Sequence, residues 1–488
     1  MTGLLFCSLL GPSLVAALLR LGARSSRAWV GAADAALSLG PMAAALGLAG
    51  RVLAGEAPTW GPGELLRVDA LSALLALCIG FVATLAAWLG PGLGSSEGLG
   101  AAQVRRFRIF ANLFAFTMLA AVTANNVAVM WVAIEATTIT SAVLIPLHVS
   151  KASVEASWKY LLICSVGIAL AFVGTVLGYF DFVSLAAEHG SAPLNWTVLM
   201  TAAPAMHAQV IQLAFVFILI GYGTKAGLAP MHTWLPDAHS ESPAPLSAMM
   251  SGVLLAVALY AILRWKAVVN AAVGSGFADG LLIAVGTVSL AIATGSLVSQ
   301  RQYKRLLAYS SIEHTGLVCL GLGLGPVGIF AAMLHLLNHA VAKSMMFFLS
   351  GRILDRYRTP ELHGVSGLLA TMPATGGLFA AGMVALVGLP PFGLFLSKFA
   401  LVRAGFVAHR PWLMALVLGL LVVAFIALVG HLNRMLYGRP PAGVAIGETR
   451  RWELAPLGLC VAILLGLGLT VPPPLETLLT RIAEIAAR

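Results

Sequence analysis

Apolar residues in this chain come in long unbroken runs, not in the period-two alternation of a strand or the narrow stripe of a surface helix. The runs fall near residues 2–22, 29–52, 68–90, 107–123, 126–149, 157–180, 208–227, 244–265, 278–297, 304–324, 327–351, 372–401, 411–433 and 453–472. A helix needs ~20 apolar residues to cross a bilayer core, so the pattern predicts an all-α polytopic membrane protein with about fourteen transmembrane helices. The seventh run ends on "GLAP" at 227–230, and the twelfth, too long for one straight span, is cut by "GLPPFG" at 388–393. Helices 7 and 12 are therefore expected to be broken. Residues 91–100 and 181–206 are the loops of note, and no soluble domain is expected between the spans.

Composition agrees with that reading. The 488 residues are 59% hydrophobic and 10% charged, where a soluble domain is nearer a quarter charged. The five cysteines stand singly in apolar runs, with no CxxC spacing. Neither an iron–sulfur cluster nor a structural zinc is expected on this chain. There is no dinucleotide fingerprint, Walker A motif or haem attachment motif either, which places any redox chemistry on partner chains. The first run lacks a basic leader and a cleavage site, so it reads as a retained helix. The net charge of +10 reads as topology, not as nucleic-acid binding. Loops joining helices 1–2, 3–4 and so on, the odd loops, hold eighteen Lys and Arg, including Arg24 and Arg27; the even loops hold Arg51, Arg67, Arg264, Lys266, Arg403 and Arg410. The positive-inside rule then puts the odd loops in the cytoplasm and both termini, Arg488 included, outside.

Against this apolar background some residues stand out. Lys225, Lys343 and Lys398 lie inside spans, as do Glu135 and Glu313 with His314. Each charge at bilayer depth costs at least ~2.5–3.5 kcal/mol, so the five total roughly 12–18 kcal/mol if unpaired. They must pair, face water or titrate. Burial favours a neutral lysine and a nearby carboxylate favours the charged one, so a Lys–Glu pair of variable separation can load and release a proton. The competing possibility is that these ions are structural links between helices. His335, His339 and Lys343 recur at i, i+4 and i+8 and so share a helical stripe. Zinc on those histidines needs three or four ligands and no adjacent cation, which Lys343 argues against. Asp237, His239 and Glu241 fit a cation site; the plainer reading, preferred here, is solvated loop polars before the next helix, with Ser242 ahead of Pro243 as its start signal. Lys304 lies near a helix end and is a further candidate.

Lys225 lies just before one break and Lys398 just after the other. Paired interrupted spans point to inverted repeats with an ion path at the midplane. Five helices separate the breaks, which fits repeats of helices 4–8 (106–268) and 9–13 (269–433), flanked by three N-terminal helices (1–105) and a last helix with its tail (434–488).

The stretches "WVAIEATTITSAVLI", "EASWKYLLICSVGIAL", "GYGTKAGLAPMHTWLPDAHSESPAPLSAMMSG", "KRLLAYSSIEHTG", "HLLNHAVAKSMMFFLSG" and "GLPPFGLFLSK" together resemble the antiporter-like, proton-pumping membrane subunits of complex I and its relatives. Within that superfamily the chain looks most like the F-type membrane subunit of energy-converting hydrogenase and formate hydrogenlyase. The resemblance covers roughly residues 70–435. It implies proton translocation along a polar axis through Glu135, Lys225, His335, His339, Lys343 and Lys398, with Lys304, Glu313, His314, Asp237 and His239 as further candidates. It implies no cofactor on this chain, with iron–sulfur clusters and nickel–iron or flavin and quinone sites on partners: other membrane subunits and a soluble redox arm. It implies a bacterial or archaeal inner membrane. Two positions depart from the pattern. Ser251 stands where the longest complex I antiporter-like subunit has a helix 8 histidine, which points to a more water-dependent relay. Position 398 is lysine where the F type often has glutamate. The chain as given ends at Arg488, so the long lateral helix of the distal complex I subunit is not expected in it. The rival functions are a sodium/proton antiporter component, a subunit of a proton-driven inorganic-carbon uptake complex, and a structural module with a dead channel.

Overall fold

The computed structural model describes residues 2–22, 28–90, 99–185 and 194–487. Arg24, Arg27, Arg488 and residues 91–98 and 186–193 lie outside these described residues. We number the helices α1 (Thr2–Gly22), α2 (Ala28–Leu37 continued by Leu39–Leu53), α3 (Ala70–Leu89), α4 (Ala101–Thr123), α5 (Val127–Ala142) and α6 (Lys151–Leu185). The seventh is split into α7a (Ala208–Lys225) and α7b (Trp234–Glu241). Then follow α8 (Ala244–Val273), α9 (Gly276–Val298), α10 (Tyr303–Leu322) and α11 (Gly325–Tyr357). The twelfth is split into α12a (Pro373–Val387) and α12b (Gly393–Val407), before α13 (Pro411–Leu436), α14 (Leu454–Leu469) and α15 (Pro473–Ala487).

Among the described helices twelve are long and apolar enough to cross a membrane, against the fourteen read from the sequence. The two runs that differ are α10, made polar by Glu313 and His314, and α12, which is in two pieces. The 181–206 segment is not all loop, since Trp196–Ala202 is helical. A two-stranded hairpin, Thr59–Trp60 with Leu66–Arg67, caps one end of the bundle.

Both breaks use one device. After α7a, Gly227 takes φ +71° and Leu228 N–H bonds Gly223 O at 2.9 Å; after α12a, Gly388 takes φ +87° and Leu389 N–H bonds Val384 O at 3.2 Å. A glycine in the left-handed region with a six-to-one bond is a Schellman cap, which ends a helix and satisfies its last carbonyls. Start signals are as local: Asn126 accepts from the N–H groups of Ala128 and Val129 at the head of α5, and Asp69 from Ser72 at the head of α3.

α8 is buried along its apolar window, and the 33-residue α11 runs beside it. Arg264 and Lys266, expected in a loop, lie inside α8 and are buried. Arg264 makes a two-pronged pair with Asp69 at 2.5 and 2.8 Å, bonds Ser72 Oγ at 3.0 Å and sits over the rings of Trp196 and Tyr260. Lys266 pairs with Asp279 at 3.0 Å. Thr2 and Arg481 both bond the end of α2, through Arg51 and the Val52 and Leu53 carbonyls, so the two ends of the described chain share one face of the bundle.

α6 and α7a touch backbone to backbone. A Cβ at Gly221 would lie 2.5 Å from Ala171 N and 2.6 Å from Gly167 O, and one at Gly174 would lie 2.6 Å from Ala214 O. Small residues permit this approach. Gly221→Val is expected to destabilise by about 1–3 kcal/mol through overpacking. The thermal unfolding midpoint in detergent reads it, and an unchanged midpoint would refute the close packing.

Candidate functional site

The first half of the site forms where α7a stops. Lys225, its last residue, is fully buried. Its Nζ donates to Thr138 Oγ1 of α5 at 2.6 Å and to Tyr160 Oη of α6 at 2.8 Å. Tyr160 Oη in turn shares a hydrogen bond with Ser141 Oγ at 2.7 Å. Glu135, half-buried, accepts from Ser165 Oγ at 2.9 Å and from Thr138 Oγ1 at 3.2 Å. Thr138 thus joins Lys225 to Glu135: its oxygen accepts from the ammonium while its hydrogen points to the carboxylate. Among the described residues no carboxylate lies within ion-pairing distance of Lys225. The sequence led us to expect contact between Glu135 and Lys225, direct or through water; the linker is a side-chain hydroxyl.

The second half lies along α11. Lys343, fully buried, donates to Leu307 O and Ser310 Oγ of α10, both at 2.7 Å. His335, His339 and Lys343 do share one stripe. His335 Nε2 meets His314 Nδ1 at 2.8 Å and its Nδ1 meets Ser397 Oγ of α12b at 2.9 Å. The His339 ring lies 5.2 Å from that of His314. At the far end Lys398 pairs with Glu313 at 3.1 Å and donates to Leu386 O and Val387 O, both at 3.2 Å. Lys398 therefore reaches back across the break to the end of α12a and pairs with the deep carboxylate of Glu313. The Lys398 ammonium thus sits at the C-terminal end of α12a, where the helix dipole carries about half a negative charge, while Lys225 is itself the last residue of α7a.

The "PDAHSE" stretch needs correction. Asp237, His239 and Glu241 belong to a helix, α7b, and not to a solvated loop. Asp237 pairs with Arg305 at 2.5 Å and Lys159 at 3.3 Å. His239 is fully buried and stacks on Phe347, ring centroids 4.9 Å apart. The reason is spacing: 237 and 239 face opposite sides of a helix pressed between water and the core. Ser242 does not cap α8; its Oγ bonds Ser247 Oγ at 2.6 Å. Lys304 donates to Ser240 O at 3.1 Å and Ser242 O at 2.7 Å. Ser251 lies in a π-turn of α8, Met250–Leu254, and its hydroxyl meets Ser311 Oγ at 2.7 Å. Among the described residues no group of three or more His, Cys, Asp or Glu converges as metal ligands.

The sequence reading missed Thr138, Tyr160, Ser165, Ser310 and Ser397, the hydroxyls that hold the lysines and histidines. Thr138 and Ser310 lie one turn from Glu135 and Glu313 and Ser397 beside Lys398, which could have marked them; nothing near Tyr160 or Ser165 on α6 does.

Buried lysines beside two broken helices, joined to hydroxyls and histidines across α5, α6, α7a, α10, α11 and α12b, define an antiporter-like membrane subunit. The chain belongs to the family described as NADH:quinone oxidoreductase/Mrp antiporter, TM, whose model matches residues 124–424. It is 38% identical over 384 residues to the hydrogenase-4 component F homolog of Methylacidiphilum infernorum (isolate V4), covering 78% of this chain and 80% of that one. Its fold superposes on a chain of the archaeal membrane-bound sulfane sulfur reductase with a TM-score of 0.87 at 25% identity, covering 100% of this chain and 97% of that one. For a chain of the Mrp complex of Dietzia sp. DQ12-45-1b the TM-score is 0.85 at 21% identity, with 99% and 97% covered, which is a likeness of fold.

Proposed function

We propose that this chain translocates protons as the antiporter-like membrane subunit of a complex I-like, energy-converting hydrogenase-type oxidoreductase. The observation that carries the reading is the setting of Lys225 and Lys343. Both are fully buried, Lys225 held by two hydroxyls and Lys343 by a carbonyl and a hydroxyl, with no carboxylate in ion-pairing range among the described residues. An ammonium without a permanent counter-ion can give up its proton, whereas Arg264 and Lys266, locked to Asp69 and Asp279, serve structure. The hydroxyls of Thr138, Tyr160 and Ser141 each donate and accept, so a proton leaving Lys225 has Thr138 and then Glu135 to receive it. His314, His335 and Ser397 offer the matching run toward Lys398. Redox groups belong to partner subunits in a soluble arm, with further membrane subunits alongside. The excess of basic residues in odd loops supports an inner-membrane orientation with both termini outside. The five-helix repeats, α4–α8 and α9–α13, are supported by the matching caps at their breaks.

The fold likeness to an Mrp chain makes sodium the ion to exclude. Sodium prefers oxygen cages, while here ammonium groups occupy the polar positions. The test is the full chain in liposomes under a potassium diffusion potential, with pyranine inside. Proton uptake several-fold above protein-free liposomes, unchanged when sodium is replaced by choline, is expected. Uptake that needs sodium would overturn the proton reading.

A further inference from the structure

α7b separates water from the buried part of the site. Its outer face presents Asp237, Ser240 and Glu241 to an open polar pocket of about 140 Å³, whose other walls include Glu155 and Lys159 of α6 and Arg305 of α10. The cations there are taken: Lys159 pairs with Glu155 at 2.6 Å and Asp237 at 3.3 Å, and Arg305 with Asp237 at 2.5 Å. Glu241, half-buried, is the carboxylate of the pocket with no side-chain partner among the described residues. The inner face of α7b carries His239, fully buried, with neither ring nitrogen bonded to protein and its ring on Phe347, one turn beyond Lys343. Lys304 sits behind the end of α7b on the Ser240 and Ser242 carbonyls. One turn further along α10, Leu307 O holds Lys343.

We propose that this pocket is the aqueous mouth of the Lys343 site. Protons enter from bulk water at Glu241 and pass behind α7b by way of Lys304 and His239. The inference rests on the proton reading above. Each step is a proton transfer in which no carbon bond changes: the Glu241 carboxylate takes a proton from water, and the neutral amine of Lys304 or a free ring nitrogen of His239 takes it on. The chemistry separates the two acids of α7b. Asp237 pairs with Arg305 and Lys159 and so joins the walls of the mouth; Glu241, with no side-chain partner among the described residues, is the carboxylate left to meet water. A purely packing role for α7b leaves the ring nitrogens of His239 and the Glu241 carboxylate without a purpose.

The test uses the full chain in pyranine liposomes on a Cys7→Ser background, because Cys7 is the exposed cysteine. Glu241→Gln and Glu241→Cys are each expected to slow proton uptake about 100-fold, the size of a lost proton-transfer group. Treating Glu241→Cys with a membrane-impermeant, negatively charged methanethiosulfonate should restore part of the rate, and a positively charged one should not. A structural role would not depend on the sign of the adduct. Normal uptake in Glu241→Gln, or equal effects of the two reagents, overturns the mouth alone. Uptake by the parent protein no faster than protein-free liposomes overturns both this and the proton reading.

Discussion

Lys225→Ala is expected to abolish proton uptake, by about 100-fold or more, in a protein that still folds. The amine at 225 is the group that Thr138 and Tyr160 converge on. Removing it takes away the proposed proton carrier but leaves two hydroxyls that already bond Ser141 and Glu135. It also removes a buried cation that has no carboxylate partner among the described residues, so the loss of packing is offset by the loss of a desolvation cost. The thermal midpoint should therefore move little. Lys225→Arg should be as inactive as alanine, because guanidinium does not deprotonate in proteins. Liposome flux and thermal unfolding, measured side by side, decide the matter. Normal flux in Lys225→Ala would take this residue out of the mechanism.

Arg264→Ala should fail in the opposite way. Arg264 is buried like Lys225 but is held by both oxygens of Asp69, by Ser72, and by the rings of Trp196 and Tyr260. Cutting one side of such a pair leaves Asp69 charged, dry and alone, at a cost of about 3–5 kcal/mol. Arg264→Ala is expected to give little folded protein in detergent. Arg264→Lys should not rescue it, since a single ammonium cannot make the two-pronged bond. Combining Arg264→Met with Asp69→Asn should recover much of the yield, because no orphan charge remains. Wild-type yield and midpoint for Arg264→Ala would show that the pair contributes nothing.

Set beside each other, these two residues show what was readable from sequence. Lys225 announced itself: a cation in an apolar run, beside "GLAP", has few innocent explanations. Both breaks were equally plain, because glycine and proline act locally and Gly227 and Gly388 end their helices by their own backbone conformation. Arg264 and Lys266 misled, because a charge near the end of an apolar run looks like a loop residue, and their partners Asp69 and Asp279 are not neighbours of the run. The Lys398–Glu313 pair was hidden for the same reason, its members being 85 residues apart. The hydroxyls were hidden differently. Serine and threonine in a membrane helix usually bond their own backbone, as Thr140 and Ser344 do here, so nothing in the local sequence distinguishes Thr138. α7b was missed because eight residues rich in polar groups, flanked by proline, carry the signature of a turn; only burial of one face made them helical.

The end of α12a has a consequence for permselectivity. Its Leu386 and Val387 carbonyl oxygens are aimed at the Lys398 nitrogen. That pole of about half an electron charge cannot be protonated and is the same at every pH. Chloride or hydroxide approaching Lys398 meets it whether the lysine is charged or neutral. The backbone there opposes the anion leak that a cationic side chain would otherwise invite, and it does so without any moving part.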